Sequence, residues 1–265
     1  LANGLHLIVL EDHRAPQVSF TLNIPGAGGY YDAPGSWGVA SVTAAMMREG
    51  TPTRNTLQIA EQLETMSATF GVTTGVSATE ASVNGSALTE NFEKLFDLAS
   101  DVLLHPTFPD EELTKYRQRT LAGLTQNRSN PGFLAAELWA RTVYGDHPAG
   151  RVAMTPAGLS AVTREQLVAF HKARYAPDNA VIAFAGDITY AAAEKLVTAK
   201  LGGWAKSGNP APTVSDPAAI GSSRVHLVDR PNSVQTSFIV GSQAISRTDP
   251  DYDALQLMNA VVGGG

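Results

Sequence analysis

Two stretches about 220 residues apart in this chain share one layout. "LIVLEDHRAPQVSFTLNI" stands near the start and "VHLVDRPNSVQTSFIVG" near the end. Each runs through an apolar strand, an Asp, a basic residue, a nearby Pro and a second strand containing Ser-Phe. Solenoid repeats recur at about 20–50 residues, so a period this long means a duplicated domain. The expected organisation is a first domain over residues 1–208, a linker over 209–223, and a truncated second copy over 224–265. The linker falls in "AKSGNPAPTVSDPAAIGSS", which is dense in Pro, Gly and Ser. With no initiator Met and an unfinished second copy, the chain is expected to be part of a longer protein.

The first copy alternates strand and helix patterns. "LHLIVLED" and "QVSFTLNI" alternate apolar and polar residues around "HRAP" and are expected to pair as a hairpin. Helical periodicity covers residues 39–48 and 56–66, the second capped by Asn55 or Thr56. "SATFGVTTGVSATEASVNGSAL" reads as two strands with a turn near residues 78–80. In "ENFEKLFDLASDVLLHP", Phe92, Leu95, Phe96, Ala99, Val102 and Leu103 share one helical face. "FPDEELTKYRQRTLAGLTQNRS" reads as a helix capped by Asp110, with glutamates in its first turn where the dipole favours them. Helices at "GFLAAELWARTVY", "TREQLVAFHKARY" and residues 190–200 flank the buried strand "AVIAFAGDI". The fold class that follows is α+β, with helices packed on a mostly antiparallel sheet in duplicated domains, the second truncated.

Composition excludes several functions. Net charge is −6 and no run of Lys and Arg exceeds two residues, which argues against nucleic acid as a partner. There is no cysteine, so disulfides, zinc ribbons and thiol catalysis are excluded. That suits an oxidising compartment, and the periplasm is the expected location, although many cytosolic proteins pass the same test. No apolar run approaches the about 18 residues of a membrane span. The six histidines are His6, His13, His105, His147, His171 and His226, and none lies three or four residues from another. No Gly-x-Ser-x-Gly elbow is present. "GAGGYY" lacks the third glycine of a dinucleotide fingerprint and the lysine of a P-loop, and reads as a turn.

Taken in order, "LANGLHLIVLEDHRAPQVSFTL", "GVASVTAAMMREGT", "HPTFPDEEL", "HPAGR", "LVAFHKARYAPDNAVIAFAGDI" and "RPNSVQTSFIVG…DPDYDALQLMNAVVGGG" resemble the insulinase/pitrilysin family of inverted zinc metallopeptidases, which includes mitochondrial processing peptidase. The most specific piece is residues 175–187. Active members carry His-x-x-Glu-His on a helix, followed by Met and a Gly-Thr pair. Two imidazoles at i and i+4 share a helix face and can share a zinc ion, and the Glu between them acts as general base. The resemblance places the Met on Met46 and the Gly-Thr pair on Gly50 and Thr51. The histidine positions then fall on Ser41 and Ala45, and the general base on Ala44. On the later helix that supplies the third ligand, Tyr116 and Gly123 stand where the family has carboxylates. A register shift does not restore the motif, because no His occurs between residues 14 and 104.

The resemblance therefore implies a metallopeptidase-family member without catalytic residues or metal ligands, inactive alone and needing no cofactor, with zinc only in a partner. Gly123 in mid-helix costs about 1 kcal/mol relative to Ala. It is compatible either with close helix–helix approach over the vacated site or with drift. Arg117 and Arg119 nearby either face a cavity that lost a cation or are exposed helix charges. The family closes as a clam-shell of two halves. The expected partners are thus a zinc-bearing subunit or second half of the same polypeptide, and a peptide substrate. The peptide would pair with an edge strand at Phe70, Gly71, Val72, Thr73 and Thr74. A structural scaffold subunit, of the respiratory core-protein type, is the alternative. An enzyme of another chemistry has no constellation to support it.

Overall fold

Alternating burial along residues 17–25 sets the architecture. In this strand Val18, Phe20, Leu22 and Ile24 are buried, while Ser19, Thr21 and Asn23 face the other side. The computed structural model describes residues 1–178, 180–208, 212–229, 231 and 234–263. Residues 209–211 of the expected linker, 230, 232 and 233 of the second copy, 179, and the final glycines 264 and 265 lie outside the described residues.

Five strands form one sheet among the described residues: β1 His6–Glu11, β2 Gln17–Pro25, β3 Thr69–Thr73, β4 Glu80–Leu88 and β5 Val181–Gly186. Their order is β1-β5-β2-β4-β3. β1 and β5 are parallel, and the other neighbours are antiparallel. The expected hairpin of β1 with β2 is therefore corrected, because β5 inserts between them. The loop joining β1 to β2 spans the width of β5 and closes over its end. The Asp12 N–H donates to the Gly186 carbonyl at 2.8 Å and the Asp187 N–H to the Gln17 carbonyl at 2.9 Å.

The helices are α1 Val39–Met46, α2 Thr56–Thr65, α3 Thr89–Leu104, α4 Asp110–Asn127, α5 Pro131–Tyr144, α6 Pro156–Ala161, α7 Arg164–Arg174, α8 Tyr190–Leu201 and α9 Tyr252–Val262. α2 starts on a capping box in which the Asn55 side chain accepts from the Gln58 N–H and Gln58 reciprocates. The cap of α4 is Pro109, and Asp110 is its first helical residue; with Glu111 and Glu112 it still sits where the dipole favours acids. Every residue of the apolar face expected for α3 is buried. Phe92 and Phe96 close with Phe20 and Phe184 into an aromatic cluster with ring centroids 5.4–6.3 Å apart. Gly85 of β4 belongs to this packing, since a Cβ there would lie 2.7 Å from the Phe20 ring.

The described residues of the second copy do not form the strands its pattern suggests. Among the described residues from 212 to 251 there is no strand, and Val225, Leu227, Val234, Phe238 and Val240 are more than four-fifths exposed. A strand needs a ladder to join, and the described residues of this segment pair with none of β1–β5.

Candidate functional site

α1 begins at a left-handed Gly38 with no side-chain cap of its own. Asp32 supplies the cap from the preceding loop: its carboxylate accepts the Gly38 N–H at 2.7 Å and the Ala40 N–H at 3.0 Å. Burial pushes the Asp32 carboxyl above the usual range, against the pull of those two N–H groups and of the Arg151 charge. The start of the helix is thus fixed without any ligand.

On α1, Ser41 and Ala45 lie one turn apart on a half-buried stripe, and Ala44 is buried in the core. The geometry for two ligands on one face is kept, but the side chains offer one hydroxyl and a methyl. The Ser41 Oγ is buried and has no hydrogen-bond partner. α4 contacts α1. Tyr116 is half-buried against the core, and burial raises its phenol above the ordinary value. Gly123 is exposed, and a Cβ built on it would meet no atom within 4 Å. Close helix packing at Gly123 is therefore corrected: the position is open surface. This donor set does not fit zinc, which takes imidazole, thiolate or carboxylate. Among the described residues, no group of three or more His, Asp or Glu side chains is placed to hold a metal ion.

Arg119 is exposed, as a helix charge would be. Arg117 is half-buried and donates to the Val162 carbonyl, fastening α4 to the α6–α7 junction; its Nε has no partner. Thr51, of the Gly-Thr pair, donates to Asp101 at 2.8 Å. Arg54 bonds Asp101 at 2.5 Å and Asp97 at 3.0 Å, and Lys200 closes on Asp97. The pair is thus anchored in a charge network joining the loop after α1 to α3 and α8. In "GAGGYY", a Cβ on Gly28 would lie 1.9 Å from the Ala78 carbonyl oxygen, so the glycines permit close backbone packing in a turn. His147 caps a short turn through Nδ1, and its Nε2 lies 2.8 Å from the Ser215 carbonyl oxygen.

β3 is an edge strand, bonded to β4 on one side only. Phe70 and Val72 point into the core, whereas Thr69 and Thr73 are exposed. Thr74 lies just past the strand and donates to the Glu80 carbonyl at 2.7 Å. The edge is not wholly free: Arg48, just after α1, donates to the Phe70 carbonyl at 3.2 Å. No local pattern around Arg48 or Phe70 marks that contact. Another feature missed in the sequence is a cavity beside the start of α1, built from residues 30–37, 146–151 and 212–214. "HPAGR" and "YYDAPGSW" mark it, but their side chains meet only in three dimensions.

The family model for insulinase (peptidase family M16) matches residues 7–157, and the peptidase M16 inactive domain matches residues 161–265. An uncharacterized zinc protease of Rickettsia bellii is 26% identical over 272 aligned residues, covering 100% of this chain and 63% of that protein. A probable mitochondrial-processing peptidase subunit beta of Arabidopsis thaliana is 25% identical, covering 99% of this chain and 49% of the relative. The chain thus spans roughly half to under two thirds of the curated relatives it matches. The crystal structure of a peptidase M16 inactive domain from Pseudomonas fluorescens superposes with TM-score 0.81 at 26% identity, covering 100% of this chain and 63% of that one. Pitrilysin shares the fold, with TM-score 0.72 at 18% identity over 82% of this chain and 24% of its own. With more than half of its length matched by the family model, and the helix, the Gly-Thr pair and the sheet in family order, the chain belongs to the insulinase family of peptidases, M16.

Proposed function

We propose that this chain is the non-catalytic, substrate-binding and chamber-forming partner of a zinc-bearing subunit, or of a zinc-bearing half of the same polypeptide, in peptide proteolysis. One observation carries the reading. α1 keeps its place, its Asp32 cap and its packing, while Ser41, Ala44 and Ala45 remove the imidazoles and the general base. A scaffold preserved without its reactive groups is suited to holding and enclosing a peptide rather than cutting it. The residues that would bind are those of the β3 edge, whose backbone can pair with an extended chain while alternate side chains set preference. The reading includes a periplasmic setting and an interface of permanent-complex size, on the order of 2,000 Å² or more.

The test is to co-express the protein with a zinc-bearing family member, purify through a tag on this chain, and assay cleavage of an unstructured peptide. The expected result is no cleavage by this chain alone and restored or enhanced cleavage by the co-purified pair. If no zinc-bearing relative co-purifies and full activity resides in that relative alone, the partner reading fails and a scaffold role replaces it.

A further inference from the structure

The two edges of the sheet differ in their protection. At β3 the Arg48 side chain occupies the Phe70 carbonyl at 3.2 Å. β1 has no such guard: His6–Glu11 holds no Lys, no Pro and no bulge, the usual devices that keep an edge from pairing. The outward face of the sheet sharpens the contrast. β2, β3 and β4 present Ser19, Thr21, Asn23, Thr73, Ser82 and Asn84 there, whereas β1 presents Ile8 and Leu10, 55% and 67% exposed.

The backbone of β1 alternates as well. The His6 N–H donates to the Ala180 carbonyl at 2.9 Å and the Asp12 N–H to the Gly186 carbonyl at 2.8 Å. His6, Ile8, Leu10 and Asp12 thus turn their backbone groups towards β5. The N–H and C=O groups of Leu7, Val9 and Glu11 point the other way, out of the edge, and among the described residues nothing bonds them.

One antiparallel register of β1 with a copy of itself uses all three open residues, and it is centred on Val9. Leu7 then pairs with Glu11 of the copy, Val9 with Val9 and Glu11 with Leu7, each pair exchanging two bonds, about six in all. Centring on Ile8 would require Leu5, whose N–H already bonds the Asn3 side chain at 3.3 Å. Centring on Leu10 would set Leu7 against His13, beyond the end of the strand. The side chains agree with the Val9 register. On the outward face Ile8 meets Leu10 of the copy twice over, which covers the exposed apolar stripe, and His6 meets Asp12 with complementary charge. The Glu11 carboxylate keeps its own partner, the Tyr190 N–H at 2.8 Å.

We propose that β1 is the docking edge for a second copy of this chain, the two β1 strands pairing antiparallel about Val9 so that one sheet runs through both molecules. β3 lies at the opposite edge, so the peptide-pairing edges stay open at both ends of the joined sheet. The dimer goes beyond the substrate-holding role and does not depend on it. A single strand pair is a small interface, which sets the Kd on the order of 10 µM.

Sedimentation velocity of the purified chain from about 1 to 300 µM should show a monomer–dimer equilibrium in that range. Leu10→Lys, at an exposed position, should weaken dimerisation at least about tenfold. Thr21→Lys, on the outward face of β2 away from the edge, should leave it unchanged. The chain has no cysteine, so single cysteines read the register directly. Ile8 and Leu10 of the copy form a close pair with Cα atoms about 4.5 Å apart, within reach of a disulfide. Under mild oxidation a mixture of Ile8→Cys and Leu10→Cys should cross-link faster than either variant alone, which keeps the test decisive should Leu10→Lys fail to fold. The proposal is overturned if the unaltered chain stays monomeric at about 300 µM or if Leu10→Lys dimerises as well as the unaltered chain. It is equally overturned if Thr21→Lys loosens the dimer as much as Leu10→Lys, or if one cysteine variant alone cross-links as fast as the mixture.

Discussion

The Arg48 guanidinium donates to the Phe70 carbonyl at 3.2 Å, tying the short turn after α1 to the edge strand. One of the acceptors an incoming strand would use is therefore already taken. A peptide adding to β3 must displace Arg48 there or pair around it. Replacing Arg48 by Met keeps the aliphatic stem and removes the donor. A net hydrogen bond is worth about 1 kcal/mol, so extended peptides that pair with β3 should bind Arg48→Met about fivefold more tightly. Fluorescence anisotropy of a labelled unstructured peptide measures this; unchanged affinity would place peptide pairing elsewhere.

At the position where the resemblance puts the general base, the side chain is part of the core. Ala44 is 1% exposed and Ala45 is half-buried. A carboxylate introduced by Ala44→Glu would be buried without a cation or metal opposite it, at a cost of about 3 kcal/mol or more. Ala45→Glu reaches solvent from the half-buried stripe and should cost less than about 1 kcal/mol. Urea denaturation of both variants checks the contrast. Equal effects would mean that the site remains open around Ala44.

Burial and one acceptor give His171 a pH-dependent role in stability. Its ring stacks on Tyr175 with centroids 5.0 Å apart, meets Phe108 edge-on at 6.0 Å, and its Nε2 lies 2.8 Å from the Leu103 carbonyl oxygen. Burial holds its pKa below the ordinary 6.5, and the neighbouring His105 adds to the effect, against the Leu103 bond. The folded state thus binds a proton less readily than the unfolded state. The stability contribution is complete above 6.5 and is lost as pH falls through the lowered folded value. His13 has the opposite sign, because its bond to Asp187 raises its pKa, but it is fully exposed. Urea midpoints of the natural chain should fall as pH is lowered from about 7 to 5, and His171→Gln should flatten that slope. An unchanged slope in the variant would assign the pH dependence to other groups.

Local patterns were legible and long-range ones were not. Alternation in β2 and the spacing of Phe92, Leu95, Phe96, Ala99, Val102 and Leu103 named the buried faces correctly, because side-chain direction follows backbone period. The insertion of β5 between β1 and β2 could not be read from either strand, since both hairpin and crossover orders satisfy the same alternation. The segment 224–241 has strand periodicity, but its described residues join no ladder, so pattern alone overstated their structure. The expectation that Ser41, Ala44 and Ala45 stand in place of the zinc motif comes from the resemblance alone, whereas the openness at Gly123 needed the placement of α4. The pairing of Trp37 with Arg151 joins residues more than a hundred positions apart, which no local signal encodes.

The most direct measurement is the metal content of the purified chain after dialysis against a mild chelator, read by inductively coupled plasma mass spectrometry. With a hydroxyl and a methyl on α1 and open surface at Gly123, zinc should be far below one ion per chain. One zinc per chain, retained through the chelation step, would contradict the reading of this half as metal-free.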